Sequence, residues 1–355
     1  MQMNPEKIYR LFATCIPVKG YCRSAIVDTQ RHKLHLIPNM LYSLLTEEST
    51  KNFGEIVSMF DPESGIIVTE YYQFLLTNEL IFGIDKEESD CFPDLPLQWD
   101  FPSLCSNAIL DIDSESRYDI RDALYTISSI PCFHLQLRLF GNFSFYRIRE
   151  WLRSVHSCSF RSVQLLFASN EILSEEHYRQ WMEEYPKIAK IEAFGSSEDR
   201  LLPVCGMERI IIFRQKCITS PRDCGCIDPR YFPVELQHVA EARQFNTCLN
   251  RKLSVDINGY VKNCPSMDHH FGHISEISPE AIMEHPEFQK YWTIRKDEID
   301  VCRDCEFRYV CTDCRCFTMN PENLYSQPSK CTYNPYLGKW EKEEGYVPVR
   351  ELDNV

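Results

Sequence analysis

A chain of 355 residues is long for one small domain and, at roughly 150 residues each, is expected to hold two or three. Hydrophobic residues at 44% and charged residues at 25% exclude wholesale disorder, and a formal net charge of −14 disfavours nucleic-acid binding through phosphate neutralisation. No run of about 18 apolar residues occurs, and Met1–Phe12 carries Glu6, Lys7 and Arg10, so neither a membrane span nor a secretory signal is expected and the chain reads as soluble and cytoplasmic.

In chain order, Arg10–Cys15, Arg23–Asp28 and Lys33–Ile37 read as short strands, separated by turn signals at Pro17, Gly20 and 29–32. Pro38 is placed to open a helix with an apolar stripe of Leu41, Leu44 and Leu45. Phe53, Ile56, Val57 and Phe60, then Ile67, Tyr71, Phe74 and Leu75, repeat at helical spacing. Three strands followed by three helices make residues 1–88 a winged-helix type of unit. The stretch from Lys86 to Cys105 has acidic residues, Pro93, Pro96 and Pro102 but no period, and reads as a linker.

Residues 105–215 alternate. Ala108–Ile112, Phe133–Phe140, Val163–Phe167, Ile188–Phe194 and Arg209–Phe213 are strand-length apolar runs. Amphipathic stretches lie between them, including Phe145–Val155 and Glu175–Glu184 with Ser174 as N-cap. This is the pattern of βαβ units on a parallel sheet, and five units fall short of a closed eight-fold barrel, so an open or partial barrel is expected. Asp111 and Asp113 end the first of these strands, the face where α/β folds place ligands; helix capping explains them equally. Residues 216–355 are rich in turns and have few residues for an apolar core, a deficit that metal ligation commonly offsets.

Of 18 cysteines, seven are scattered through the first 216 residues and eleven lie beyond. In a reducing compartment such cysteines are free, catalytic or metal-bound. Cys248 and Cys264 flank CLNRKLSVDINGYVKNC, in which Leu253–Ile257 alternates like a strand and Asn258-Gly259 signals a hairpin turn. The hairpin carries both thiols to one end of a ribbon. Cys302-x2-Cys305 is followed after five residues by Cys311-x2-Cys314, then Cys316 and Cys331. Zinc-ribbon knuckles usually stand about 15–20 residues apart, so the compact spacing favours iron–sulfur clusters, with zinc as the alternative. His269, His270 and His273 read as a polar surface loop, with metal binding or proton shuttling as the other reading. There is no phosphate-binding Gly-x4-Gly-Lys loop and no Gly-x-Ser-x-Gly elbow.

The pattern Cys248…Gly259…Cys264…Cys302-x2-Cys305-x5-Cys311…Cys314…Cys331 resembles the SPASM domain, the twin-cluster extension of radical-SAM peptide-modifying enzymes. LFATCIPVKGYCRSAIVD, LIPNMLY, NTCLNRKLSVDINGYVKNCPS and CRDCEFRYVCTDCR are similar to the SPASM-domain peptide maturases of grasp-with-spasm systems, a resemblance that covers nearly the whole chain. It implies an α/β chain of three parts: a winged-helix-like peptide-recognition unit (1–88), a partial radical-SAM-like β/α barrel (105–215) and a loop-rich SPASM domain (216–355) with two [4Fe–4S] clusters. Cys248, Cys264 and Cys314 would hold one cluster, with Cys224 as fourth ligand and Cys226 as its alternative. Cys302, Cys305, Cys311 and Cys331 would hold the other. Two residues rather than three separate Cys311 from Cys314, which leaves Cys316 as an alternative to Cys314. Arg303, Arg308 and Arg315 would stabilise the anionic clusters, or stand as solvated surface charges.

Radical-SAM chemistry uses Cys-x3-Cys-x2-Cys after the first barrel strand, and this chain reads Asp113-Ser114-Glu115-Ser116-Arg117-Tyr118 there. Cys91 and Cys105 have the wrong separation, so no reductive cleavage of SAM is expected. The N-terminal unit resembles the RiPP recognition element, which captures the leader of a precursor peptide by strand addition. The strand of Lys33, Leu34, His35, Leu36 and Ile37 and the helix carrying Tyr71, Tyr72 and Leu75 would form its groove, or the helical residues belong to the core. The implied role is maturation of a ribosomally made peptide of graspetide type, in company with an ATP-grasp ligase and compatible with a homodimer. A zinc-stabilised, non-catalytic peptide adaptor is the alternative, and whether the chain catalyses a step itself stays open.

Overall fold

In the computed structural model, which describes residues 3–168, 173–204, 209–225 and 227–352, the first strand ends earlier than the pattern predicts. β1 (Ile8–Leu11) gives way to a turn in which the Cys15 amide donates to the Phe12 carbonyl at 2.8 Å, and β2 (Cys15–Val18) starts afresh. The single strand expected over Arg10–Cys15 is therefore two. β3 (Ser24–Asp28) and β4 (Lys33–Ile37) complete an antiparallel meander in the order β2-β3-β4, with β4 at its edge.

Three helices follow: α1 (Asn39–Thr46) after Pro38, α2 (Phe53–Ser58) and α3 (Pro62–Thr77). A reciprocal Asn52–Glu55 capping box starts α2, and the Asp61 side chain caps α3, so each start satisfies otherwise orphaned amides. A fourth segment, β5 (Ile81–Ile84), pairs antiparallel with β1. It escapes sequence reading because four residues containing Gly83 show no alternation. Ile37, Leu41, Leu44, Ile56, Tyr72 and Leu75 form the apolar interior beneath the helices.

The chain then builds an eight-stranded sheet. β6 (Cys105–Ile112), α4 (Ile120–Ser128), β7 (Cys132–Leu139), α5 (Phe145–Ser157), β8 (Ser162–Ala168), α6 (Glu175–Glu184) and β9 (Ile188–Phe194) alternate; β10 (Arg200–Pro203) and β11 (Ile210–Arg214) follow. After α7 (Leu236–Ala242) come β12 (Lys252–Val255), β13 (Val261–Lys262), α8 (Pro279–Met283) and α9 (Pro286–Gln289). The strand order is β10-β11-β9-β8-β7-β6-β12-β13, parallel except at its two outermost strands. All five expected parallel strands are present. The unexpected part is β12, which pairs in parallel with β6 from Lys252↔Asn107 to Val255↔Leu110 and so joins the cysteine hairpin to the sheet.

Contacts divide the chain into two compact units, each discontinuous in sequence: Met1–Trp99 with Ile227–Thr247 and Ile294–Val355, and Asp100–Cys226 with Cys248–Thr293. The expected segment 1–88 lies in the first and 105–215 in the second, while 216–355 contributes to both. The first unit ends with the hairpin β14 (Tyr333–Asn334) and β15 (Lys339–Trp340). Ile16, Val18 and Val27 there share one apolar cluster with Val239, Phe307, Val310 and Tyr333. The last third is therefore not coreless, contrary to expectation: it borrows a face of the N-terminal meander. No described helix is long and apolar enough to cross a membrane.

Candidate metal centres

In the second unit the hairpin sets the geometry. Ser254 pairs with Lys262 and Val255 with Val261, and the Asp256 carboxylate accepts the amides of Asn258 and Tyr260 to close the turn. Of the two turn residues only Gly259 has positive φ (+84°), and a Cβ there would collide with the His273 ring. Cys248 precedes β12 and Cys264 follows β13, so both lie at the open end of the ribbon, as the spacing implied. Lys252, half-buried at the start of β12, points its ammonium at Cys248 Sγ, 3.7 Å away. Burial works against its charge, yet Cys248, Cys264 and Cys224, as thiolates, outweigh that and hold the Lys252 pKa above its ordinary value. One cation thus reports three of the expected ligands in a single neighbourhood. Cys224 follows a tight turn in which the Asp223 carboxylate accepts the amides of Thr219 and Ser220; Cys226 lies outside the described residues.

In the first unit Cys302, Cys305, Cys311 and Cys331 all line one cavity, whose other walls include Val301, Phe307, Trp340 and Lys296. Val301, at φ +67°, redirects the chain into the short turn that presents Cys302, and the Cys305 amide closes that turn on the Cys302 carbonyl. The Phe307 amide donates to Cys305 Sγ at 3.4 Å, a bond that favours a thiolate at this sulfur. Burial pushes the thiols of Cys302 and Cys305 well above the ordinary range and that of Cys311 up to about 12. Without metal these are neutral thiols, and ligation would expel their protons. Among the described residues no group of three Cys, His, Asp or Glu side chains stands in an arrangement for a single ion. Four thiolates lining one cavity are a donor set that zinc or an iron–sulfur core can take. Cys314, buried, belongs to the first unit, whereas Cys224, Cys248 and Cys264 belong to the second.

The cations near these centres match those the sequence pointed to only in part. Arg303 is paired with Asp300 and Asp304, Arg308 with Asp297, and Arg315 is buried against Asp313, to which its Nη2 donates at 2.7 Å. Each arginine is spoken for by a carboxylate. Arg308, paired with Asp297, does line the cavity of Cys302 and Cys311, but Lys252 and Lys296 also face thiols, and neither stood out from a sequence full of surface lysines. Lys296 is 4% exposed and donates to the Thr247 hydroxyl at 3.5 Å. Next to it, burial first and the Lys296 charge second pull the His238 pKa down to about 3.

Other expected residues sort clearly. Asp111 is wholly buried and accepts from Arg138 Nε at 2.6 Å and Nη2 at 2.7 Å, so it is an ion-pair partner and not an exposed substrate contact. Arg138 in turn lies within electrostatic reach of Cys224 and Cys264. Asp113 accepts from the Glu115 amide and the Ser116 hydroxyl, and the helix cap is Asp119 instead. His269 and His270 are exposed, His273 half-buried, and His270 stacks on Tyr260 at 4.3 Å. Tyr72 and Leu75, at 1% and 0% exposure, are core residues, which removes them from any groove; Tyr71 packs against that core. On β4, Lys33 and Leu36 are exposed, Leu34 and His35 half-buried and Ile37 buried. His35 meets Phe74 of α3 at 6.1 Å, while Leu34 packs on the opposite face against the cluster of Phe307 and Tyr333.

Sequence reading missed how the 19–23 loop grips the Cys305 turn. Arg23 Nε donates to the wholly buried Glu306 carboxylate at 2.7 Å and its Nη2 to the Tyr333 hydroxyl at 3.2 Å; Tyr333 also donates to Glu306. The Tyr21 amide bonds the Asp304 carbonyl, and the Tyr21 ring stands edge-on to Tyr336 at 4.9 Å. These partners lie about 280 to 315 positions apart in sequence, beyond the reach of any local pattern.

No curated protein sequence matches the chain. Among solved structures, the crystal structure of Streptococcus suis SuiB bound to S-adenosylmethionine is similar at 9% identity and a TM-score of 0.39, over 92% of this chain and 98% of that one. Residues 247–306, which include Cys248, Cys264, Cys302 and Cys305, match the family described as SPASM, an iron–sulfur cluster-binding domain, and the chain carries that domain.

Proposed function

We propose that this protein takes part in maturing a ribosomally synthesised peptide of graspetide type, holding the precursor leader on its N-terminal unit and carrying two [4Fe–4S] clusters, alongside an ATP-grasp ligase. The observation that carries the cluster reading is the cavity walled by Cys302, Cys305, Cys311 and Cys331 inside a chain with a SPASM match. Cys224, Cys248 and Cys264, gathered round Lys252, supply thiolates to a second centre. Four protein thiolates complete a cluster's coordination, and such a group supplies electron transfer or structural cross-linking. The loop after β6, Asp113–Tyr118, contains no cysteine, so no SAM-cleaving step is assigned to the chain.

Peptide capture is assigned to the edge of β4, which pairs only with β3 among the described strands. An incoming strand there gains main-chain hydrogen bonds, and the neighbouring face offers Lys33, His35 and the half-exposed Phe74 for selectivity. Deleting residues 1–88 would strip Ile16, Val18 and Val27 from a shared core, so the clean test is a surface substitution. Anaerobically purified protein should contain iron and sulfide near eight of each per chain. In an anisotropy titration with the precursor leader, Phe74→Asp should weaken binding at least tenfold with iron content unchanged. Stoichiometric zinc without sulfide would instead support the adaptor reading, and wild-type affinity in Phe74→Asp would remove the groove.

A further inference from the structure

Each set of thiols has a lysine beside it, and among the described residues neither lysine forms an ion pair with a carboxylate. Lys296 is buried to 4% exposure and lines the cavity of Cys302 and Cys311, yet among the described residues its ammonium bonds only the neutral Thr247 hydroxyl, at 3.5 Å. The nearby acid is already taken: Asp313 is held by Arg315 and by Asn246 Nδ2 at 2.6 Å. Lys252 points its ammonium at Cys248 Sγ and forms no ion pair among the described residues. A buried ammonium without a counter-charge is costly, by several kcal/mol, and folds keep one only where an anion offsets it. A cluster on four thiolates carries a net charge of about −2 and provides such an anion.

We propose that Lys296 and Lys252 are dedicated counter-cations, one for each centre, that stabilise the added electron and so raise the reduction potential of the cluster each faces. The inference rests on the cluster reading above. It differs from the expectation for Arg303, Arg308 and Arg315, whose charges are cancelled locally. An ammonium beside a thiolate donates a hydrogen bond to sulfur and adds a positive potential, and both lower the cost of reduction.

The test uses the full chain, reconstituted anaerobically, as wild type and as Lys296→Met, Lys296→Arg, Lys252→Met and Lys252→Arg. Iron and sulfide are counted, and each cluster is titrated with dithionite under electron paramagnetic resonance. Each cluster takes one electron from dithionite, which is oxidised to sulfite. Each Met variant should lower the midpoint of one of the two signals, cutting its reduced fraction at fixed potential about tenfold, which is ~59 mV for one electron. Each Arg variant should stay at the wild-type midpoint. Iron loss in a Met variant that its Arg counterpart reverses also supports the assignment. Unchanged midpoints with full iron in both Met variants overturn it, as does an Arg variant that behaves like Met. Wild-type protein free of iron and sulfide overturns the cluster reading itself.

Discussion

Replacing Arg138 with Met tests how the second unit holds its charge. Asp111 and Arg138 sit side by side on β6 and β7, with side chains 0% and 4% exposed and two hydrogen bonds of 2.6 and 2.7 Å. Removing one member of a fully buried pair leaves the other uncompensated, at about 3–5 kcal/mol, and this geometry belongs at the upper end. The Asp111→Leu/Arg138→Met double variant removes both charges and should recover most of that loss. The pH dependence sharpens the test. Burial pushes the Asp111 pKa up to about 6, with Arg138 pulling against it and Cys264 and Asp256 adding to the rise. A carboxyl whose pKa is higher folded than unfolded stabilises fully below the unfolded value, near 3.9, and loses that contribution as pH climbs through the folded one. Without Arg138 the folded pKa climbs further, so the variant should suffer more at pH 8 than at pH 5. Hydrogen exchange of the β6 and β7 amides reads this directly: a loss of about 3 kcal/mol speeds opening-limited exchange roughly a hundredfold. A change below fivefold, or one equal at both pH values, would refute the argument.

Two other outcomes follow from the first unit. Arg23→Met should strand the buried Glu306 carboxylate at a cost of about 2–4 kcal/mol, less than for Arg138 because Arg23 is 32% exposed, and Glu306→Gln in the same chain should restore part of it in chemical denaturation. Chelating the iron from wild-type protein should raise hydrogen exchange in β3 and β4 more than in α3, because Val27 and Leu34 pack on the cluster to which Cys305 and Cys331 also contribute; equal protection with and without iron would contradict that coupling.

What the sequence made legible is local or periodic. The five apolar runs from Ala108 to Phe213 announce parallel strands because buried strands must be continuously apolar. Asn258-Gly259 announces a hairpin, although Gly259 alone needed positive φ and Asp256 fastened the rest. The illegible part is pairing across distance. Nothing in Asp111 foretells Arg138 one strand away, and helix-capping was a fair reading of an acid at a strand end. The charge around the thiols was legible only in part for a related reason. Arginines next to cysteines in sequence looked like cluster cations, but each has an acid between two and eleven positions away to quench it. A lysine earns the role by lacking such an acid in three dimensions, and sequence neighbours do not reveal that.

In the first unit the strand proposed to capture peptide and the thiol cavity share one interior. β4 has two faces: His35 turns toward Phe74 and the exposed side of α3, while Leu34 turns inward to the cluster of Val18, Val27, Phe307 and Tyr333. Cys305 and Cys331 pack against that same cluster, and Arg23, in the loop leading to β3, bonds Glu306 immediately after Cys305. The edge strand β4 therefore rests on the residues that brace two thiols. A strand added to β4, as proposed, would stiffen a meander that can shift only by disturbing apolar contacts and a buried ion pair beside the cavity. Coupling by this route needs no moving domain: it requires that the edge strand and the thiol loop share one interior, and Leu34, Phe307 and Cys305 place them in it.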